Sequence, residues 1–587
     1  MFRGIPISPG VAVARAHRLD QITVRRSAGP LDSNAITAEV LRFEQACAAA
    51  ADELDGIVDR LRAQVGEEQA AIFRAHRQLL REPGRDTALV AKVKKTISHQ
   101  RLDAASALQS LLDEYTAMFA QIADPYLRER FTDIKDVVQR VQTHLAVKNQ
   151  SCAEDFTEPV ILVAREVLPS QAVMFERLPL AGIATESGGP TGHAAILARA
   201  LGIPSASGLT GLVDKVNSGD LLVLDGREGI AIVEPGAEVE AAYRKLQREF
   251  VVLRERIFEN AQQPAVTADG QKLQLLANVN GLHDAQTAAR VGGDGVGLYR
   301  TEFLFLTHQA VPDEEEQFAT YRSVIEAAPN KTVTIRTLDL GGDKHVRFLG
   351  ERSEANPFMG WRSIRLRSAY PELFQTQLRA ILRAANYGNV SVMFPMVSTL
   401  EETRQLRQLV IEAKTRLQRT GARHAEEIPF GIMIEVPAAA LCIEHLLDEV
   451  DFVSIGSNDL TQYVMAADRD NPKVAHLCEP FNPAVYSLLH RVIGACVERN
   501  KPVTLCGEMA ARPRCVAPLI GMGLRRFSMS PAFVPSIKEL AHCLTLADAK
   551  DMARAVTTLR TVDEIRDYLT HGVRRVCPNV AFLDTTR

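Results

Sequence analysis

The sequence has no basic surplus: Lys and Arg total 68 against 72 Asp and Glu, a formal net charge of −4. A dedicated nucleic-acid binder needs a positive face to displace counterions from phosphates, so that class is disfavoured. No segment approaches the ~18 consecutive apolar residues of a transmembrane helix. The opening MFRGIPISPG has no apolar run of signal-peptide type, and a cytoplasmic location without membrane insertion is expected. None of the nine cysteines (Cys47, Cys152, Cys442, Cys478, Cys496, Cys506, Cys515, Cys543 and Cys577) are spaced C-x-x-C. Neither a zinc knuckle nor a local redox dithiol is suggested, and reduced, mostly buried thiols are expected.

What remains is an ordinary globular mixture, 46% hydrophobic and 24% charged, too apolar for a disordered chain. The 587 residues correspond to about four folding units at roughly 150 residues each. A short β-like stretch, Val11 to His17, follows the turn Ser8-Pro9-Gly10. From Asp32 to Leu145 the pattern is helical: Ile36, Val40, Phe43, Cys47, Ala50, Leu54, Ile57 and Leu61 recur at spacings of four and three. That spacing lays one apolar stripe on one face and predicts a helical bundle. Short β-like runs follow at Val160–Val163, Gly182–Thr185, Leu221–Leu224 and Ile230–Val233, an α/β unit. If Val11–His17 belongs to the same sheet, the helical block is an insertion between two of its strands. Ala237–Glu259 reads as one more helix, a rigid linker or an ordinary surface helix.

From Lys272 onward strands and helices alternate. Eight strand-like runs are visible: Leu273–Val279, Gly295–Tyr299, Val333–Leu338, Val392–Met396, Phe430–Val436, Phe452–Gly456, Val503–Cys506 and Phe527–Met529. Eight β/α repeats predict a TIM barrel, whose chemistry sits at the carboxyl ends of its strands. Those ends carry Arg300, Arg336, Glu435, Asn458, Asp459 and Cys506, with Arg362 and Arg469 in following loops. Four arginines gathered on one rim suit phosphate and carboxylate oxygens. Glu435 and Asp459 suit a hard cation such as Mg²⁺. The joint demand is for a small molecule bearing phosphate and carboxylate. Cys506 reads either as an apolar filler or as an acid or nucleophile. In the α/β unit, Gly188-Gly189-Pro190-Thr191-Gly192-His193 delivers a histidine to the start of an Ala/Leu-rich helix. An anion is favoured at such a helix start. His193 is a candidate phosphoryl acceptor, or a capping or core histidine; the local string leaves both open.

The string from Gly188 to Arg199 resembles the phosphohistidine signature of phosphoenolpyruvate-utilising enzymes. Asp451 to Tyr463, continuing to Arg469, resembles their second signature. The order of the two, with the helical insert, resembles the Enzyme I family of the bacterial phosphoenolpyruvate:sugar phosphotransferase system over essentially the whole chain. The resemblance implies an α/β fold: a C-terminal (β/α)8 barrel plus an N-terminal swivelling phosphohistidine domain carrying an inserted helical bundle. It implies a phosphohistidine domain at 1–25 and 148–236, a helical HPr-binding insert at 26–147, a linker helix at 237–262, and a phosphoenolpyruvate-binding, dimerising barrel at 263–587. By the same likeness, Glu435 and Asp459 ligate Mg²⁺, while Arg300, Arg336, Arg362, Asn458, Asp459 and Arg469 hold the substrate. His193 attacks phosphorus, Cys506 protonates the enolate, and phospho-His193 passes its phosphoryl group to the carrier protein HPr. A homodimer is implied.

Departures are local. Gly192 stands where the family usually has Ser or Thr, and Pro190 where many members have Arg. Loss of a hydroxyl beside the histidine predicts slower or differently pH-dependent transfer, so Gly192→Ser is expected to autophosphorylate faster than wild type; a slower variant contradicts this. The insert carries Arg74, Arg77 and Arg81 where family members are more acidic, which points to a carrier with a less basic face or to simple surface drift. A dikinase or synthase needs a preceding nucleotide domain, and only about 150 residues of helical pattern without a glycine-rich nucleotide loop precede the phosphohistidine unit here. A regulatory paralogue that only binds an HPr-like carrier is the alternative of another class.

Overall fold

The computed structural model describes residues 1–19, 31–64, 76–81, 86–120, 125–145, 158–167, 179–187, 195, 198, 202–306, 311–341, 354, 356–469, 471 and 473–583. The chain divides into two units, Met1–Val251 and Val252–Asp584.

The first unit is built on an eight-stranded sheet: β1 (Phe2–Arg3), β2 (Ile5–Ser8), β3 (Val11–Arg18), β4 (Val160–Ala164), β5 (Leu180–Thr185), β6 (Ser205–Ser207), β7 (Leu221–Asp225) and β8 (Ile230–Val233). The order is β1-β8-β7-β3-β4-β5-β6-β2. The strands β3, β4, β5 and β6 run parallel, and β3 pairs antiparallel with β7 on its other side. Every residue of β4 is buried, as expected of an interior parallel strand covered on both faces. One face packs Ala12, Ile161, Val163, Leu222 and Leu224, and the other packs Leu162, Ile183 and Ala198.

Between β3 and β4, which are neighbours in the sheet, the chain makes a helical block. Its long helices are Ser33–Gln64, Ala88–Gln100, Ala104–Ala120 and Pro125–Leu145. Phe43, Cys47, Ala50 and Leu54 of the predicted stripe are buried against Val93, Ile97, Leu108, Val138 and Val141, with Ile36 and Val40 at the margin. The side chains of Ile57 and Leu61 lie outside the described residues. Thr87 caps the second helix by accepting from the Val90 amide at 3.3 Å.

Ala237–Glu259 is a single helix, laced on its solvated side by Arg244–Glu240 at 2.8 Å and Lys245–Glu249 at 3.8 Å.

The second unit is a closed barrel of eight parallel strands: β9 (Gln274–Val279), β10 (Gly295–Arg300), β11 (Thr332–Arg336), β12 (Asn389–Phe394), β13 (Phe430–Ile434), β14 (Phe452–Ile455), β15 (Val503–Leu505) and β16 (Arg526–Met529). β16 closes onto β9. All eight predicted runs are strands. Helices follow them around the barrel, among them Leu400–Thr420, which is bounded by a Thr399/Glu402 capping box and by Gly421 at φ 69°. Inside the barrel, Gly431 leaves room for an aromatic ring: a Cβ there would meet Phe452 at 2.4 Å. Helices Leu546–Thr558, Val562–Val576 and Pro578–Leu583 follow the eighth repeat.

Candidate active site

Parallel register sets the rim. Arg300 ends β10 and pairs in register with Arg336, which ends β11. Arg300 is exposed, whereas Arg336 is buried. The carbonyl of Arg336 accepts the Thr301 hydroxyl at 2.9 Å. Its guanidinium donates to Glu302 at 2.6 Å and lies 3.4 Å from Asp339. Burial opposes a charge there, but the carboxylates of Glu302, Asp339, Glu435 and Asp459 outweigh it and hold Arg336 protonated.

Beyond β11, Gly341, φ 97°, packs against the backbone of Trp361–Arg362: a Cβ there would lie 2.7 Å from the Trp361 carbonyl. The Ser363 amide donates to the Leu340 carbonyl at 2.8 Å and fixes that approach. This delivers Arg362, 2% exposed, onto Asp339. Its Nε and Nη2 reach Asp339 at 3.2 and 2.8 Å, a forked pair, and its Nη1 donates to the Tyr463 hydroxyl at 3.2 Å. The Tyr463 hydroxyl in turn donates to the Phe358 carbonyl at 2.6 Å.

Glu435 follows β13 and is 1% exposed. One oxygen accepts the Met396 amide at 2.6 Å. Gly456 gives the other its space, since a Cβ there would approach it to 2.7 Å. Burial, then the nearby charges of Asp459 and Asp339, push its carboxyl up to about 8 against the pull of Arg336 and Arg362. Asp459 sits in the first turn of helix Ser457–Met465, which opens directly after β14. Its Oδ1 is buried without a hydrogen-bond donor; Arg469 Nη1 stands 3.4 Å away and Arg362 Nη1 3.8 Å. Asn458 is clamped across the rim: its side-chain oxygen accepts the Glu508 amide at 2.8 Å. That approach requires Gly507, where a Cβ would lie 1.9 Å from the Ser457 hydroxyl.

Cys506 follows β15 and is 2% exposed, beside Leu298, Met393, Met433 and Phe452. Its thiol donates toward the Ile455 carbonyl at 3.4 Å. Burial pushes the thiol up to about 11, so at neutral pH it carries its proton. Asn278 braces this corner by donating to the Cys506 carbonyl at 3.0 Å and accepting from Ser528 at 2.6 Å.

One mouth therefore gathers the predicted barrel residues, with Arg300 and Asn458 on its exposed side. Sequence reasoning assigned no role to Glu302, Asp339, Tyr463 and Asn278, which orient the arginines and the cysteine. The signal was present for two of them: Glu302 and Asp339 stand in the very strand-end strings that supplied Arg300 and Arg336.

In the first unit, His193, Gly192 and Pro190 lie outside the described residues. The chain is anchored where it leaves β5: Ser187 donates its amide and its hydroxyl to the Arg165 carbonyl at 2.8 and 2.9 Å. Glu186 accepts the Val213 amide at 2.9 Å. Beyond, Ala195 and Ala198 are helical and buried. Arg74 of the insert lies outside the described residues, and Arg77 and Arg81 pair with Asp55 and Asp52, each at 3.1 Å. Those two charges are met within the bundle, which reduces the expected basic patch.

Three family models match in chain order: "PEP-utilising enzyme, N-terminal" over 3–130, "PEP-utilising enzyme, mobile domain" over 156–229, and "PEP-utilising enzyme, PEP-binding domain" over 254–545. The chain is 38% identical over 571 residues to the phosphoenolpyruvate-protein phosphotransferase of Bacillus sp. (strain S), covering 97% of each chain. It is 38% identical to that of Geobacillus stearothermophilus, again covering 97% of each. It is 36% identical to that of Bacillus subtilis (strain 168), covering 96% of this chain and 98% of the other. The NMR solution structure of Enzyme I (nEIt) is 29% identical, covers 43% of this chain and 99% of its own, and superposes with a TM-score of 0.36. No described helix is long and apolar enough to cross a membrane.

Proposed function

This chain belongs to the phosphoenolpyruvate-protein phosphotransferase family, and from that premise we propose how its residues divide the work of moving a phosphoryl group from phosphoenolpyruvate to protein. The phosphoryl group passes first to His193 and then to a histidine of an HPr-like carrier, the opening step of a sugar phosphotransferase system. The observation that carries the site assignment is the gathering on one barrel mouth of two buried carboxylates, Glu435 and Asp459, with buried Arg336 and Arg362 and with Arg469, of which Arg362 and Arg469 face Asp459 at 3.8 and 3.4 Å.

Arg336, Arg362 and Arg469, with Arg300 and Asn458 at the edge, hold the phosphate and carboxylate of the substrate. Phosphoryl transfer needs positioning and charge neutralisation more than covalent chemistry from the protein. The residues fit a hard divalent cation: Asp459 Oδ1 has no donor, and burial with the nearby charges of Asp459 and Asp339 keeps Glu435 from ionising despite Arg336 and Arg362. Glu435 and Asp459 would hold Mg²⁺, which when bound neutralises phosphate charge.

The lone pair of His193 Nε2 attacks phosphorus, the bond from phosphorus to the enol oxygen breaks, and the enolate of pyruvate departs. Cys506 gives its thiol proton to the methylene carbon, completing pyruvate, and recovers a proton from solvent. Its place beside Leu298, Met393 and Met433 suits an apolar methylene, and its raised pKa suits an acid rather than a resting thiolate. A role limited to binding a carrier needs none of these groups.

The domain assignment follows the same reading: 1–25 and 148–236 swivel as the phosphohistidine domain, 26–147 receives HPr, 237–262 is the hinge helix, and 263–587 binds substrate and dimerises. The eight described cysteines are all free thiols, which suits the reducing cytoplasm.

The test is transfer from ³²P-labelled phosphoenolpyruvate with Mg²⁺, in the absence of ATP, followed by HPr. Label is expected on wild type, absent from His193→Ala, and chased onto HPr. Failure to label wild type overturns the reading. Label on His193→Ala overturns the choice of nucleophile.

A further inference from the structure

We propose that Cys543 and Cys577 are a modification site: a thiol pair that closes into a reversible disulfide, joining the last barrel helix to the C-terminal helices. Their spacing of 34 residues hides the pair from any local motif, and the fold brings the two sulfurs to 2.9 Å. Cys543 ends helix Val534–Cys543, which follows β16. In a (β/α)8 barrel the end of that helix lies opposite the substrate mouth, so the pair is separate from the site described above. Cys577 sits at the break between Val562–Val576 and Pro578–Leu583, its amide held by the Val573 carbonyl at 2.8 Å. Both sulfurs therefore hang from ordered helix ends, and bonding requires them to close only from 2.9 Å to about 2.05 Å.

The two thiols are unlike, as a peroxide-reactive pair requires. Cys543 is partly exposed and Cys577 is buried. The Cys577 thiol donates to Cys543, which favours the thiolate at Cys543 and holds Cys577 protonated. Hydrogen peroxide is the oxidant proposed. The Cys543 thiol ionises, its thiolate attacks one peroxide oxygen, the O–O bond breaks, and the departing hydroxide takes up the proton the thiol released, leaving a sulfenic acid and one water. The Cys577 sulfur then attacks the Cys543 sulfur, the S–O bond breaks, and a second water leaves. Two thiols and one peroxide become one disulfide and two waters.

Glu539, one turn before Cys543, completes a trio whose ligand atoms lie within 4.8 Å of one another, and a metal is the rival occupant. The Glu539 carboxylate is already engaged, by Arg256 at 3.6 Å and by Asn579 at 3.5 Å. Two thiolates at about 2.3 Å from a tetrahedral zinc stand about 3.7 Å apart, wider than the observed pair.

The experiment treats the full-length protein with a few equivalents of hydrogen peroxide, enough for two oxidation steps at one thiol, alkylates it, and maps peptides by mass spectrometry with and without dithiothreitol. A peptide linking Cys543 to Cys577 is expected, two hydrogens lighter than its parts and lost on reduction. Cys543→Ser is expected to form no link, and Cys577→Ser to leave Cys543 to oxidise onward to the sulfinic acid. Oxidised wild type in which both cysteines still alkylate, or in which Cys543 is sulfinic and Cys577 free, overturns the proposal; this arm needs no variant to fold. One equivalent of zinc retained through dialysis, protecting both thiols from peroxide and lost in both variants, overturns it in favour of a metal site.

Discussion

A buried glutamate whose pKa rises to about 8 makes the barrel's stability depend on pH. The sign is set by linkage: the folded state holds this proton between an ordinary glutamate's 4.5 and about 8, whereas the unfolded state has lost it. Stability from this group is full below the lower value and is lost as pH rises toward the upper, at up to about 1.4 kcal/mol per unit. Metal-free wild type is expected to lose melting temperature between pH 6 and pH 8, Glu435→Gln to lose much less, and saturating Mg²⁺ to flatten the wild-type slope. Thermal melts in chelator and in Mg²⁺ check all three. At the same scale, Asp339 carries the buried charges of Arg336 and Arg362 together. Asp339→Asn should destabilise by about 3–5 kcal/mol, because it leaves guanidiniums buried with one partner fewer; urea unfolding reads it. The strand-end arginines and carboxylates were legible because a barrel sends its strand ends to one face. The fork between Arg362 and Asp339 was not. It spans 23 residues and depends on the close backbone approach of Gly341 to Trp361–Arg362, which no periodicity announces.

Elements were legible in proportion to their apolar content. β13 and β14 are mostly large apolar residues, interrupted only by Gly431 and Ser454, and declare themselves, while β12 begins three residues before its predicted start, at Asn389-Val390-Ser391. β6, Ser205–Ser207, is buried throughout yet carries no hydrophobic signal. Its residues are small because neighbouring backbones press on it: a Cβ on Gly226 would lie 2.8 Å from the Ser205 amide nitrogen, and one on Gly4 would lie 2.1 Å from the Ser207 carbonyl. Steric fit of that kind is written in tertiary structure, not in a run of side chains. Between β13 and β14, Gly431 and Phe452 pair in register. Gly431→Ala is expected to cost about 1–3 kcal/mol by overpacking the ring. Phe452→Leu on the same background should recover part of that cost, a coupling that a double-mutant cycle measures.

At the scale of the whole molecule, two units with separate cores predict two calorimetric transitions rather than one. Phosphoenolpyruvate with Mg²⁺ should raise only the transition of Val252–Asp584, by an amount that grows with the logarithm of ligand concentration. A single transition, or two that shift together, would show that the units unfold as one. The order of strands in the first unit also sets a timetable for synthesis. β3 is made within the first 18 residues, yet its partners are β4, which starts at Val160, and β7, which starts at Leu221. At about 5–20 residues per second on the ribosome, its second edge stays without a mate for roughly 10–40 s. Meanwhile the helical block has its full complement of residues and can collapse on itself. A nascent β3 is thus an unprotected edge strand held beside a finished bundle, and chaperones have a defined interval in which to shield it.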